Sequence, residues 1–176
     1  MKQIGFGFLK DYKKEFGGSL LAGKRKGTRP LSTSKPIHLV LKSIGNSFFN
    51  PGNRSLEKII RAQASKYQIK VYEISLNWSH MHLLVKLPSR EKYKAFIRTV
   101  TALIVSFISK QKGKALRRLF DLRPFTRVLS WGRDLKNVFD YHKLNDQEAR
   151  GLILRTKTTS KLTLTSKGRP SGLRRV

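Results

Sequence analysis

Two of the chain's four histidines flank one apolar residue in the segment Ser79-His80-Met81-His82-Leu83-Leu84-Val85. On a β-strand successive side chains alternate faces, so His80 and His82 share a face and Met81 points away. Two imidazoles held side by side can grip one metal ion. Further along, Tyr141 and Asn145 stand four residues apart. That spacing puts them on one helix face, where a phenol and an amide oxygen could be presented together to the histidine pair. These residue types suit phosphodiester chemistry. A divalent metal polarises a non-bridging oxygen and stabilises charge on the leaving group. A tyrosine phenolate can attack in line and leave a covalent phosphotyrosine. Such an intermediate keeps the bond energy, so a DNA hydroxyl can reverse the attack and no nucleotide cofactor is needed.

Plainer accounts exist for the same residues. Strand histidines are often half-exposed surface groups, and Tyr141 could belong to a packing face with Leu135, Val138, Phe139 and His142. His142 follows Tyr141 about a quarter turn away and is given no role. His38 is out of phase with Ile37, Leu39 and Leu41; it could share the face of the histidine pair, but is read as a surface histidine. Glu73 is read as a solvated strand residue. Of the other tyrosines, Tyr72 and Tyr93 fit core stripes, Tyr67 ends a helix and Tyr12 lies in an N-terminal arm.

The elements that must position these groups follow from periodicity. Residues 1–36 hold Gly17-Gly18, Gly23, Gly27, Pro30 and Pro36 among basic residues, and read as an arm with little regular structure. Ile37, Leu39 and Leu41 alternate as in a strand. Asn53 or Ser55 can cap a helix to about Tyr67 that carries Leu56, Ile59, Ile60 and Ala64. Gln68 to Trp78 alternates again, with Tyr72, Ile74 and Leu76 assigned to the helix side. A tight connection at Trp78-Ser79 makes this strand an antiparallel partner of His80–Leu87. Pro88 and Ser89 open the main core helix, which carries Tyr93, Phe96, Ile97, Val100, Ile104, Phe107 and Ile108. Phe125 to Trp131 reads as a strand. Asp134 is the expected N-cap of a last helix, which Gly151 ends.

The expected fold is α+β: a ferredoxin-like split βαβ sheet (β-α-β-β-α-β) with an added C-terminal helix bearing Tyr141. Residues 37–151 form the catalytic domain and residues 152–176 a flexible basic tail.

Charge names the partner. The chain has 176 residues, with 38 Lys and Arg against 10 Asp and Glu, a net charge of +28. So large an excess repels itself in the compact state and calls for an anionic partner, nucleic acid first. Lys24, Arg25, Lys26 and Arg29 are expected on the DNA backbone, with Arg117, Arg118, Arg123 and Arg133 as a second group. Phosphate contacts of this kind give affinity and position rather than sequence choice. Trp78, Trp131 and Phe48-Phe49 could stack on bases or pack in the core. The absence of cysteine excludes disulfides, thiolate nucleophiles and Cys-ligated zinc. No signal peptide or membrane span is read, so a cytoplasmic protein with no membrane partner is expected.

The chain resembles the HUH single-tyrosine transposases, and more closely their REP-associated tyrosine transposase (RAYT) branch. The resemblance rests on His80-Met81-His82 with Leu83-Leu84-Val85, on Trp131-Gly132-Arg133-Asp134 leading into Tyr141-His142-Lys143-Leu144-Asn145, and on Arg29-Pro30-Leu31-Ser32 before the first strand. It covers roughly residues 24–151. It implies a Mg²⁺- or Mn²⁺-dependent enzyme, dimeric, that cleaves and rejoins single-stranded DNA at hairpin sequences. It also implies Tyr141 as the nucleophile of a 5′-phosphotyrosine, and His80 and His82 as metal ligands. Insertion-sequence members often carry Gln one turn after the tyrosine, where this chain has Asn145, the same amide on a shorter stem. Either Asn145 is the third ligand or the metal site is weakened. The rival reading is a non-catalytic basic nucleic-acid-binding protein, either a domesticated hairpin-DNA binder or an RNA- or ribosome-associated protein.

Overall fold

A computed structural model describes residues 14–21, 27–45 and 47–152. The expected DNA contacts Lys24, Arg25 and Lys26, and nearly all of the basic tail, lie outside the described residues.

The sheet has five strands: β1 (Glu15–Phe16), β2 (Ile37–Lys42), β3 (Lys70–Asn77), β4 (His80–Lys86) and β5 (Phe125–Val128). Their spatial order is β1-β5-β2-β4-β3, and every neighbouring pair is antiparallel. Without β1 this is the ferredoxin-like order the sequence predicts. Helix α1 (Arg54–Lys66) joins β2 to β3, and α2 (Arg90–Gln111) joins β4 to β5. Helix α3 (Arg133–Ala149) follows β5.

The pleat sorts side chains into two layers. Ile37, Leu39 and Leu41 of β2 and Met81, Leu83 and Val85 of β4 are buried in one core with Leu56, Ile60 and Ala64 of α1 and Tyr93, Phe96, Val100 and Ile104 of α2. Each large apolar side chain enclosed there contributes about 1.5–3 kcal/mol. The helix starts are fixed by side-chain caps. Asn53 Oδ1 accepts from the Ser55 and Leu56 amides at 3.1 and 3.2 Å, and Ser89 Oγ accepts from the Lys92 amide at 3.2 Å.

The opposite layer is smaller. Leu84, Leu129 and Val138 form a second buried cluster, with Tyr72, Leu135 and Phe139 against it. Helix α3 therefore covers the β3–β4 part of the face on which His80 and His82 stand.

Three expectations are corrected. Tyr72 does not join the main core: the β3–β4 register shifts between Val71 and Glu73, and this irregularity turns Tyr72 towards α3 while Val71 packs inward. Asp134 is not the N-cap of α3. Gly132 holds that position at φ 87°, a left-handed conformation that favours glycine. Asp134 instead accepts the Ser130 amide at 3.0 Å and the Arg127 guanidinium at 2.8 Å.

The N-terminal arm also carries structure. Glu15 and Phe16 pair with Arg127 and Thr126, and a short 3₁₀ turn, Gly18–Leu21, follows. Between them Gly17 has φ 95°, and a Cβ there would sit 2.1 Å from the Pro124 carbonyl oxygen. Only glycine lets the arm reach this close to β5.

Candidate active site

All four histidines converge where β2 and β4 meet α3. His80 and His82 have ring centroids 4.7 Å apart. His82 lies 5.1 Å from His142, and His38 lies 4.9 Å from His142. His38 Nε2 is 3.0 Å from His82 Nδ1, a buried hydrogen bond between β2 and β4. His80 Nδ1 is 2.9 Å from Ser79 Oγ. Each member of the His80–His82 pair thus has its Nδ1 engaged, leaving Nε2 to face a ligand.

Tyr141 stands over this group. Its ring meets that of His82 edge-on at 5.7 Å, yet the residue keeps 43% of its surface exposed. It lines a crevice of about 380 Å³ with His38, Phe125, Arg127 and Asn137. The sequence rule that brings it there is simple. Val138, His142 and Asn145, spaced four and three apart, are the buried stripe of α3, and Tyr141 lies beside that stripe at its solvent edge.

Asn145 is buried on this stripe. His142 Nδ1 is 3.6 Å from Glu73 Oε2, and the Trp78 indole donates to the Ala149 carbonyl at 3.3 Å. These contacts lay α3 along β3 and bracket Asn145 beside the stretch where Ser75 pairs with His82 and Asn77 with His80.

Burial sets the charge state. It pushes the His82 pKa down to about 2, with the neighbouring His38, His80 and His142 adding to the effect. Burial takes His38 down to about 3, helped by His142 and Arg127, and His142 down to about 4. His80 is lowered by burial and then by Lys42. Glu73 is raised by burial, against the pull of Lys143. The imidazoles are therefore neutral near pH 7, the form that ligates a metal.

The site fits a divalent cation on the evidence of its polar atoms. His82 Nε2 and both ring nitrogens of His142 are buried with no hydrogen-bond partner among the described residues. Such groups are costly unless something satisfies them. Two donor sets share His82. One is the expected set of His80, His82 and Asn145. The other is His38, His82 and His142, whose candidate ligand atoms all lie within 4.8 Å of one another.

Sequence reasoning missed His38 and His142. His38 is buried rather than a surface histidine, and the alternation that put it on the face of the pair was the usable signal. His142 is fully buried rather than idle. Its helical phase with Val138 and Asn145 marked it as inward.

The expected DNA contacts divide. Arg117, Arg118, Arg123 and Arg133 are exposed. The Arg29 guanidinium is turned into the domain, donating to the Pro124 carbonyl at 2.8 Å and to Thr126 Oγ1 at 2.7 Å, and lying 4.6 Å from the Phe16 ring centre. Trp78 and Trp131 are 45% and 51% exposed, so neither is a core residue. Phe49 is fully buried and Phe48 packs against the same core, so this pair is part of the interior.

The architecture is that of a known transposase fold. A solved structure of a REP-associated tyrosine transposase bound to a REP hairpin shares the fold, with a TM-score of 0.52 and 13% identity over 73% of this chain and 76% of that one. The family described as "Transposase IS200 like" matches residues 35–127, more than half of the sequence, and the chain belongs to that family. A candidate transposase from Deinococcus radiodurans R1 aligns over 69% of this chain and 97% of its own, at 12% identity and a TM-score of 0.40. No curated protein sequence matches. Among the described residues no helix is long and apolar enough to cross a membrane.

Proposed function

We propose that this chain is a metal-dependent transposase that cleaves and rejoins single-stranded DNA at hairpin sequences, with Tyr141 as nucleophile. The observation that carries the reading is the placement of Tyr141, exposed on a crevice wall and edge-on to the buried His82 ring. The phenol thus stands between a cluster of neutral imidazoles and a crevice open to a strand.

In the reaction the Tyr141 oxygen loses its proton and attacks phosphorus in line. The new bond joins the tyrosine oxygen to phosphorus. The bond from phosphorus to the 3′ oxygen breaks, and that oxygen takes a proton to become a free 3′ hydroxyl. The product is a 5′-phosphotyrosine, and attack by another strand's 3′ hydroxyl restores the phosphodiester and the tyrosine. A bound Mg²⁺ or Mn²⁺ would supply charge stabilisation at the non-bridging oxygens. His80 and His82 are the proposed ligands, with Asn145 as the third, and burial keeps both imidazoles in their ligating form.

The net charge of +28 supports a nucleic-acid partner. Arg117, Arg118, Arg123 and Arg133 are proposed to hold phosphates, together with Lys24, Arg25 and Lys26. The similar REP-associated transposase is described bound to a REP hairpin, which favours hairpin DNA as this chain's substrate; a homodimer is part of the same proposal.

The test is a gel assay with a library of labelled single-stranded hairpins, Mg²⁺ or Mn²⁺, and Tyr141→Phe alongside. The expected result is a metal-dependent, protease-sensitive DNA adduct that the variant cannot form. Tight binding without an adduct under either metal would leave a hairpin-binding protein that does not cut.

A further inference from the structure

A second hollow lies beside the catalytic crevice. It has a volume of about 350 Å³. It is lined by Val40 and Lys42 of β2, Phe125 of β5, Leu20, Leu122 and Arg123. Phe125 and Glu15 line both hollows, so the two adjoin. Lys42 is the cross-strand partner of His80. The hollow thus opens directly from the group of residues proposed to act on the phosphate.

Its chemistry is specific in kind. Two leucines, a valine and one aromatic face make an apolar slot. Lys42 and Arg123 line it as cations against one carboxylate, Glu15, which also reaches Arg127 at 3.7 Å, so the lining stays net positive. An apolar ligand alone would not need the cations, and a bare phosphate would not need the slot. A nucleotide in a single strand has both parts, a flat base that stacks on aromatic and apolar side chains and a phosphate on either side.

We propose that this hollow is a base-binding subsite, receiving one unpaired nucleobase adjacent to the phosphate that Tyr141 attacks. The base lies against Phe125 between Leu20 and Leu122, and its flanking phosphates meet Lys42 and Arg123. Helix α3 covers the β3–β4 side of this face, so the β2–β5–β1 side is the ground left for a strand. The role of the subsite is to set which phosphate comes to rest under Tyr141. It rests on the reading of the neighbouring crevice as a DNA-cleaving site.

The experiment compares the full chain's affinity for a mixed-sequence single-stranded oligonucleotide and for the same backbone made fully abasic. The wild type should prefer the strand with bases by about tenfold or more. Leu20→Ala combined with Leu122→Ala should lose most of that preference while binding the abasic backbone as before. Both residues are partly exposed, so the fold tolerates truncation; Leu103→Ala, at an equally exposed position on α2, controls for loss of a surface leucine. Arg123→Ala should weaken both strands alike and lower the log–log salt slope by about 0.7. In parallel, 5-iodouracil placed in the oligonucleotide should photocrosslink to the peptide holding Leu122–Phe125.

The double variant keeping the wild-type preference, or cross-links confined to peptides holding Trp78 and Trp131, would overturn the subsite. The adduct assay separates the two readings. Adducts with the base preference unaffected would sink the subsite alone. A hollow that binds bases in a protein that never forms an adduct would sink the cleavage reading.

Discussion

His38 Nε2 lies 3.0 Å from His82 Nδ1, and this buried bond fixes which nitrogen of His82 can face a ligand. The other nitrogen, Nε2, is buried without a partner among the described residues. Groups that orient a metal-binding histidine in this way tune its affinity by about 10- to 100-fold. We expect His38→Ala to lower Mn²⁺ affinity by about that factor. Titration calorimetry against the wild type checks it. An unchanged affinity would make the bond a packing detail.

The third donor can be assigned by the same measurement. If His80, His82 and Asn145 form the site, Asn145→Ala should cost at least about tenfold in Mn²⁺ affinity and His142→Phe should cost little. If His38, His82 and His142 hold the ion, the order reverses and the site should favour nitrogen-preferring transition metals over Mg²⁺. Co²⁺ absorption spectra of the two variants would report the change in donors directly.

Stability should fall in acid. The folded state holds His82, His38 and His142 at about 2, 3 and 4, against an ordinary value of 6.5. The unfolded chain therefore binds more protons than the folded one between those values. The stability contribution is whole above about pH 6.5 and is lost as pH falls from there towards about 4 and below. Urea unfolding midpoints should be level from about pH 8 to 7 and drop steadily below 6.5. A midpoint independent of pH down to about 5 would mean that the cluster opens to solvent.

Arg29 should behave as a structural residue. Its guanidinium bonds the Pro124 carbonyl and Thr126 Oγ1 and lies over the Phe16 ring. Arg29→Ala leaves those acceptors unsatisfied and should cost about 1–3 kcal/mol of stability. The salt dependence of DNA binding should stay as in the wild type. A drop in the salt slope with no loss of stability would return Arg29 to the DNA-contacting group.

The sheet order was legible because its signals are local and redundant. Alternation in Ile37–Lys42 and His80–Lys86, the three–four spacing of Tyr93, Phe96, Val100 and Ile104, and the caps Asn53 and Ser89 all pointed one way. Tyr72 was misplaced because the shift between Val71 and Glu73 leaves no mark in the alternation of residue types. The β1 strand was missed because Glu15-Phe16 is too short for a pattern. Its pairing with β5 depends on a backbone approach at Gly17 that only the folded chain displays.

The candidate site divides in the same way. By itself the sequence determined the histidine pair on one strand face, the tyrosine and asparagine one helical turn apart, and the excess of positive charge, because period and composition are properties of the chain. Only the tertiary structure decided that His38 and His142 join the pair, that Arg29 turns inward, and that a hollow opens beside Tyr141. Those facts come from contacts between residues distant in sequence: α3 lies against β3 and the histidines, and the N-terminal arm pairs with β5 beside Arg29.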